Sequence, residues 1–150
     1  MFNILILAFK IKCMIKLIIY LRPFARYLLI VWALTIIIVS SIPNIPTLQI
    51  HTAKSVIRLD YMMHFCEYGV LAFITFLSFA GNEFTISYKK FIMITVSLIL
   101  FAVLDELHQK LIPGRTYSIK DIASNMTGIL AAGIFSLVLF RFVRIRLYKS

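Results

Sequence analysis

Four long apolar stretches constrain the fold of this chain more than any other feature of its sequence. A helix needs about 20 residues to cross about 30 Å of hydrocarbon, and backbone groups inside a membrane must be hydrogen-bonded internally. The predicted spans cover residues 27–42, 61–80, 91–111 and 122–140. With 61% hydrophobic and 15% charged residues, the chain is also more apolar than a soluble domain. We therefore predict an all-α, polytopic transmembrane helical bundle of about four spans.

A single membrane domain, residues 27–140, is predicted between two basic segments. Residues 1–26 form a basic N-terminal segment, and residues 141–150 form a basic cytoplasmic tail. The apolar run at the N-terminus is too short to span a membrane. Two interpretations stay open for it: an interfacial helix whose lysines reach the membrane surface, or an over-extended start with translation beginning at Met14.

The third predicted span is informative because its uncharged part is short. Residues 91–104 supply about 21 Å of helix, which is less than the thickness of the hydrocarbon. To cross, the helix must continue through Asp105 and Glu106 toward Leu111. The two carboxylates then lie about 9 Å below the membrane surface. Charge at that depth is unfavourable, so we expect both side chains to face a polar interior.

The basic residues are distributed unequally between the two ends of the predicted bundle. One end receives eleven of the 16 lysines and arginines. These eleven are Lys10, Lys12, Lys16, Arg22, Arg26, Lys89, Lys90, Arg141, Arg144, Arg146 and Lys149. The excess predicts that this end, with both termini, is cytoplasmic. The net charge of +10 is then explained by basic residues that orient the protein and lie next to an anionic membrane surface. Nucleic acid is therefore not expected as a partner.

The acidic residues gather at the opposite end, which is predicted to be extracytoplasmic. Five of the six acids are Asp60, Glu67, Asp105, Glu106 and Asp121. Polar residues spaced four apart share one face of a helix. The pairs with that spacing are Asp60 with His64, Asp105 with Gln109, and Asp121 with Asn125. Three helices are therefore predicted to present polar groups at a similar depth.

Structural roles compete with functional roles for several of these residues. Asp121 has the position of an N-cap or first-turn acid, which the helix dipole favours. Asn125 could instead hydrogen-bond across helices in lipid. His64 could be a histidine whose ring nitrogens are hydrogen-bonded within a polar cluster, without a role in binding or catalysis. Cys13 and Cys66 have no metal-binding spacing and are predicted to be unpaired thiols.

Three ordered motifs in the chain resemble the VanZ-like family of bacterial membrane proteins. The motifs are Asp60-x-x-x-His64-Phe65-x-x-Tyr68, Asp105-Glu106-x-x-Gln109, and Ile112-Pro113-Gly114-Arg115-x-x-Ser118-x-x-Asp121-x-x-x-Asn125-x-x-Gly128. The resemblance runs over residues 28–139, with one departure. The family often has lysine directly after the first aspartate, where this chain has Tyr61.

The resemblance implies a multi-pass protein of the bacterial cytoplasmic membrane. The founding member of the family is associated with resistance to the glycopeptide teicoplanin, and the family brings no established catalytic mechanism. It therefore implies an effect on glycopeptide susceptibility without implying a reaction.

The first functional hypothesis is a binding protein whose outward polar pocket holds a component of the cell envelope. The expected ligand-binding residues are Asp60, His64, Tyr68, Asp105, Glu106, Gln109, Arg115, Asp121 and Asn125. A lipid-linked precursor or another anionic headgroup would suit Arg115, because a guanidinium matches phosphate with two hydrogen bonds. Lys110 and Lys120 lie in the same loop. The other expected partner is the bilayer itself, and rows of small residues permit a homo-oligomer.

The alternative hypothesis is a membrane-embedded enzyme that acts on a lipid-linked or phosphorylated headgroup. Asp60, His64, Asp105 and Glu106 are the candidate catalytic residues, either as a divalent-cation site or as acid and base. The sequence contains neither the H-E-x-x-H nor the G-x-S-x-G pattern. The expectation is therefore no cofactor and no resident metal, with catalysis left open.

Overall fold

A computed structural model describes residues 13–44, 49–51 and 56–148 of the chain. Its four long helices are α1 (Cys13–Ser40), α2 (Asp60–Phe79), α3 (Tyr88–Gln109) and α4 (Ile119–Tyr148). All four are long and apolar enough to cross a membrane. The prediction of an all-α bundle with four spans is confirmed.

A short antiparallel ribbon is the one departure from helix among the described elements. Strand β1 (Gln49–His51) pairs with β2 (Val56–Arg58), and Ile50 lies opposite Ile57. The ribbon lies between α1 and α2. The extended backbone there agrees with the prolines that precede it in the sequence.

Two helices extend further than the apolar spans that the sequence predicts. Helix α1 is already helical at Cys13, and only a 3-10 turn at Arg22–Phe24 interrupts it. Helix α4 continues past residue 140 to Tyr148. The predicted start of the first span and the predicted end of the fourth both lie beside arginines. An arginine ends an apolar run in the sequence but need not end the helix, because its side chain can reach the membrane surface. The alternatives for the first apolar run concern residues 1–12, which lie outside the described part of the chain.

Helices α2 and α4 form the most extensive helix pair of the bundle. They approach closely where Gly128 of α4 lies against the backbone of α2, and a Cβ atom at Gly128 would overlap the carbonyl oxygen of Phe65. Nearby, the Ser124 hydroxyl donates a hydrogen bond to the carbonyl oxygen of Tyr61. Small residues thus permit two backbones to approach, as they commonly do in membrane proteins.

The connection between α2 and α3 is held by side chains that cap the end of α2. The Arg22 guanidinium donates to the carbonyl oxygens of Gly81 at 2.6 Å and Asn82 at 2.9 Å, and lies 4.8 Å from the ring centre of Phe84. Lys90 Nζ donates to the carbonyl oxygen of Phe79 at 2.7 Å. Basic groups at this position satisfy carbonyls that have no partner within the helix.

We expect Gly128→Ala to lower the free energy of unfolding by roughly 1–3 kcal/mol, because the added methyl group would force α2 and α4 apart. Gly69→Ala is the matched control, since a Cβ atom there would meet its nearest neighbour, the Gly128 carbonyl oxygen, at an ordinary 3.6 Å. Both substitutions share the same gain in helix propensity. Unfolding in detergent micelles, followed by circular dichroism, measures the difference. Equal stability of the two variants would contradict this account of the contact.

Candidate functional site

The polar side chains meet at the end of the bundle where α1 and α3 finish and α2 and α4 begin. We call this group the polar cluster. Its members are His64, Tyr68, Asp105, Glu106, Gln109, Asp121 and Asn125. All are buried except His64, which is partly exposed. The acids of α3 therefore face a polar interior, as the short third span predicts.

The first half of the polar cluster is a chain of hydrogen bonds centred on Asp105. Its Oδ2 atom accepts from the Tyr68 hydroxyl at 2.8 Å and from Gln109 Nε2 at 3.2 Å. Gln109 Nε2 also lies 3.3 Å from the Ser40 hydroxyl, at the end of α1. The four side chains come from three helices, and each has a partner, so this half has the character of a structural network.

The second half begins at Glu106 and the first turn of α4. Glu106 Oε1 accepts a hydrogen bond from the Ser118 amide at 2.8 Å, and the Ser118 hydroxyl accepts from the Asp121 amide at 3.3 Å. Ser118 is therefore the capping residue of α4. Asp121 lies in the first turn, where the helix dipole favours an acid, so its predicted structural role is consistent with the geometry.

This second half contains buried polar atoms that have no hydrogen-bond partner among the described residues. The five atoms are His64 Nδ1, Glu106 Oε2, Asp121 Oδ1, Asn125 Oδ1 and Asn125 Nδ2. His64 Nε2 and Asp121 Oδ2 are 3.8 Å apart, too far for a hydrogen bond. A buried polar atom without a partner is unfavourable by about 1–3 kcal/mol. Asn125 is fully buried and makes no hydrogen bond through either amide atom, so it does not act as interhelical glue within this part of the chain.

Arg115 occupies a different position from the other candidate residues. Its guanidinium donates to the carbonyl oxygens of Val39 at 2.8 Å and Ile42 at 3.3 Å, which lie at the end of α1. These contacts use two of the five N–H groups of an arginine. The structure thus gives Arg115 a capping role that the sequence does not predict.

The loop that carries Arg115 is fixed to the end of α1 by its backbone as well. The Asn44 amide donates to the Pro113 carbonyl oxygen at 3.2 Å. Gly114 has φ +76°, and a Cβ atom there would overlap the Asn44 side chain. Glycine is therefore required at this turn for both conformation and space.

The remaining candidate residues lie at the rim of the polar cluster. Asp60 is the first residue of α2 and is partly exposed, one turn before His64. Lys110 and Lys120 are exposed at the two ends of the loop that carries Arg115. Glu67 is partly buried in α2, and its carbonyl oxygen accepts a hydrogen bond from Trp32 Nε1 at 3.0 Å. The rim of the polar cluster therefore carries both signs of charge.

Sequence reasoning missed the contribution of Ser40 and underrated that of Ser118. Ser118 precedes an apolar helix and is followed three residues later by an acid, a pattern close to a capping box, so its role was readable from the sequence. Ser40 carries no comparable signal, because its partner Gln109 is 69 residues away.

The structure also describes the possible metal ligands and the thiols of residues 13–44, 49–51 and 56–148. Within residues 13–44, 49–51 and 56–148, no group of three His, Cys, Asp or Glu side chains is arranged to hold a metal ion. Cys13 and Cys66 are unpaired, as predicted, and both are exposed.

These features define a helical membrane protein of four spans with a buried, acid-rich cluster at one end. A model of the VanZ/LLP1 family matches residues 11–141, and the chain belongs to that family. The match covers most of the chain and confirms the resemblance carried by the three motifs. No curated protein and no solved structure was found to match it.

We expect Tyr68→Phe to destabilise the protein by about 1–3 kcal/mol, because it removes a buried hydroxyl that donates to Asp105. Tyr117→Phe is the matched control, since Tyr117 is exposed in the loop before α4. Thermal unfolding of both variants in the same detergent measures the effect. A Tyr68→Phe protein as stable as the Tyr117→Phe protein would show that this hydrogen bond contributes little.

Proposed function

We propose that this VanZ/LLP1-family protein binds a component of the bacterial cell envelope through its polar cluster. The observation that carries the proposal is the set of five buried polar atoms in His64, Glu106, Asp121 and Asn125 that have no hydrogen-bond partner among the described residues. Native proteins rarely leave such atoms unsatisfied without a functional reason or an ordered water. A ligand group that enters the cluster would supply the missing hydrogen bonds.

The chemistry of these atoms favours a ligand rich in hydrogen-bond donors. Glu106 Oε2, Asp121 Oδ1 and Asn125 Oδ1 are acceptors, whereas Asn125 Nδ2 is a donor and His64 Nδ1 serves as either. Hydroxyl or amine groups of a saccharide headgroup meet this requirement. A phosphate does not, since its oxygens would face buried carboxylates.

The loop beside the polar cluster supplies the complementary charge for a phosphate. Lys110 and Lys120 are exposed there, and within the described part of the chain Arg115 uses two of its five N–H groups, in its contacts to Val39 and Ile42. A lipid-linked saccharide has both parts, with hydroxyl groups for the cluster and a phosphate for the loop. We propose this class of precursor as the ligand.

We further propose that the protein affects susceptibility to glycopeptides such as teicoplanin. The support is its membership of the VanZ/LLP1 family, whose founding member is associated with teicoplanin resistance. A protein that binds a lipid-linked wall precursor lowers the amount of free precursor that these antibiotics encounter. Precursor binding would therefore be the physical basis of the effect on susceptibility.

Asn125→Leu tests the proposal, because leucine has a similar size and removes two unsatisfied atoms. We expect the variant to be at least as stable as the wild type, since the Asn125 amide makes no hydrogen bond with the described residues that the substitution would remove. We expect its affinity for a labelled lipid-linked precursor to fall about tenfold, with a parallel change in teicoplanin susceptibility. Thr127→Val, at an exposed position of the same helix, is the control.

The outcome that contradicts the proposal is an Asn125→Leu protein that binds precursor and confers the same susceptibility as wild type. Lys120→Gln is a better test of phosphate contact than a change at Arg115. Removing Arg115 also removes the cap of α1, so a loss of binding there would not separate contact from stability.

The proposal also requires the polar cluster to face the outside of the cell. In a chain without Cys13 and Cys66, we expect a cysteine at Thr116→Cys to react with a membrane-impermeant maleimide in intact cells. A cysteine at Glu83→Cys, in the exposed α2–α3 connection, is expected to react only after permeabilisation. The physical reason is the excess of lysine and arginine at the α2–α3 end. The reverse labelling pattern would overturn the proposed orientation.

A further inference from the structure

A second feature lies in the other half of the bundle, away from the polar cluster. Helices α1, α2 and α3 enclose an open cavity of about 680 Å³. Ligand sites in proteins commonly have volumes of about 300–1,000 Å³. The residues that line it include Leu29 and Ala33 of α1, Leu71 of α2, and Met93 and Ser97 of α3.

The cavity follows from the way the helices pack. The glycine contact draws α2 and α4 together, whereas α1 and α3 make little contact with each other. At the polar end, Ser40 of α1 and Gln109 of α3 are joined by a hydrogen bond. Further along, the small side chains of Ala33 and Ser97 line the space between the two helices and do not fill it. The gap is therefore apolar and opens to the lipid-facing side of the bundle.

Two lysines lie at the mouth of this cavity, and they differ in their partners. Lys90 Nζ donates a hydrogen bond to the carbonyl oxygen of Phe79, so it caps α2. Both lysines are exposed, but the Lys89 side chain makes no such contact with the described residues. Among the described residues that line the cavity there is no Asp or Glu. The cavity thus combines an apolar interior with a positively charged entrance.

We propose that this cavity is a binding site for one anionic phospholipid, with an acyl chain between α1 and α3 and its phosphate at Lys89. Charge complementarity selects the headgroup, since a lysine near the membrane surface attracts anionic lipids. The lining along α3 runs from Lys89 to Phe101, about 18 Å of helix, which matches the roughly 15 Å of hydrocarbon in one leaflet. The lipid fills the space that the helices leave empty and is held separately from any ligand of the polar cluster.

Native mass spectrometry of the full-length protein with added phosphatidylglycerol or phosphatidylcholine tests this proposal. We expect one phosphatidylglycerol to remain bound to the wild type in preference to phosphatidylcholine. Lys89→Gln is expected to weaken the retention of phosphatidylglycerol about fivefold. Ser97→Phe is expected to abolish it, because the ring would occupy the cavity.

Matched controls separate these effects from general changes in the protein. Lys16→Gln removes an exposed lysine that does not line the cavity, and Val96→Phe adds a ring to an exposed position of α3 that does not line it either. Both are expected to retain phosphatidylglycerol as the wild type does. If Ser97→Phe fails to fold, Lys89→Gln decides the question, since Lys89 is exposed.

Three results would overturn the proposal. The first is equal retention of the two phospholipids by the wild type, and the second is unchanged retention of phosphatidylglycerol by Lys89→Gln. The third is a dimer that is lost in Ser97→Phe, which would show a second copy of the chain in the cavity. Precursor binding by the polar cluster is measured separately, so either proposal can fail without the other.

Discussion

Two adjacent carboxylates of α3 connect this helix to each of the other three. Asp105 binds Tyr68 of α2 directly and reaches Ser40 of α1 through Gln109. Glu106 accepts from the amide of Ser118, where α4 begins. Successive residues of a helix point about 100° apart, so neighbouring side chains can serve different partners. In hydrocarbon such contacts have no competition from water, and the arrangement of the polar end depends on them.

The two acids nevertheless differ in how fully their carboxylate oxygens are hydrogen-bonded. The oxygen of Asp105 that faces the network accepts two hydrogen bonds, whereas Glu106 keeps one buried oxygen without a partner in the described part of the chain. The same is true of one oxygen of Asp121 and of the whole amide of Asn125. One half of the polar cluster therefore has the hydrogen bonds of a structural network, and the other half is the part through which we propose that the protein binds its ligand.

The fold and part of the site could be predicted from the sequence because they follow from length and periodicity. The short third span predicts that Asp105 and Glu106 face a polar interior, and both are buried. The capping role of Arg115 could not be predicted, because its carbonyl partners lie 73 and 76 residues away. A contact at that separation depends on tertiary packing. The chemistry of the guanidinium predicts only that Arg115 suits an anionic headgroup, and that prediction is separate from its contacts to α1.

The close contact between α2 and α4 has a consequence for the biosynthesis of the protein. Tyr61 and Ser124, which bond across this contact, are 63 residues apart in the chain. At about 5–20 residues per second, the ribosome needs roughly 3–13 s to synthesise the intervening segment. During that interval α2 is in the membrane without its principal partner, and His64 has not yet met Asp121. The order of translation thus makes the last helix the one that completes the bundle.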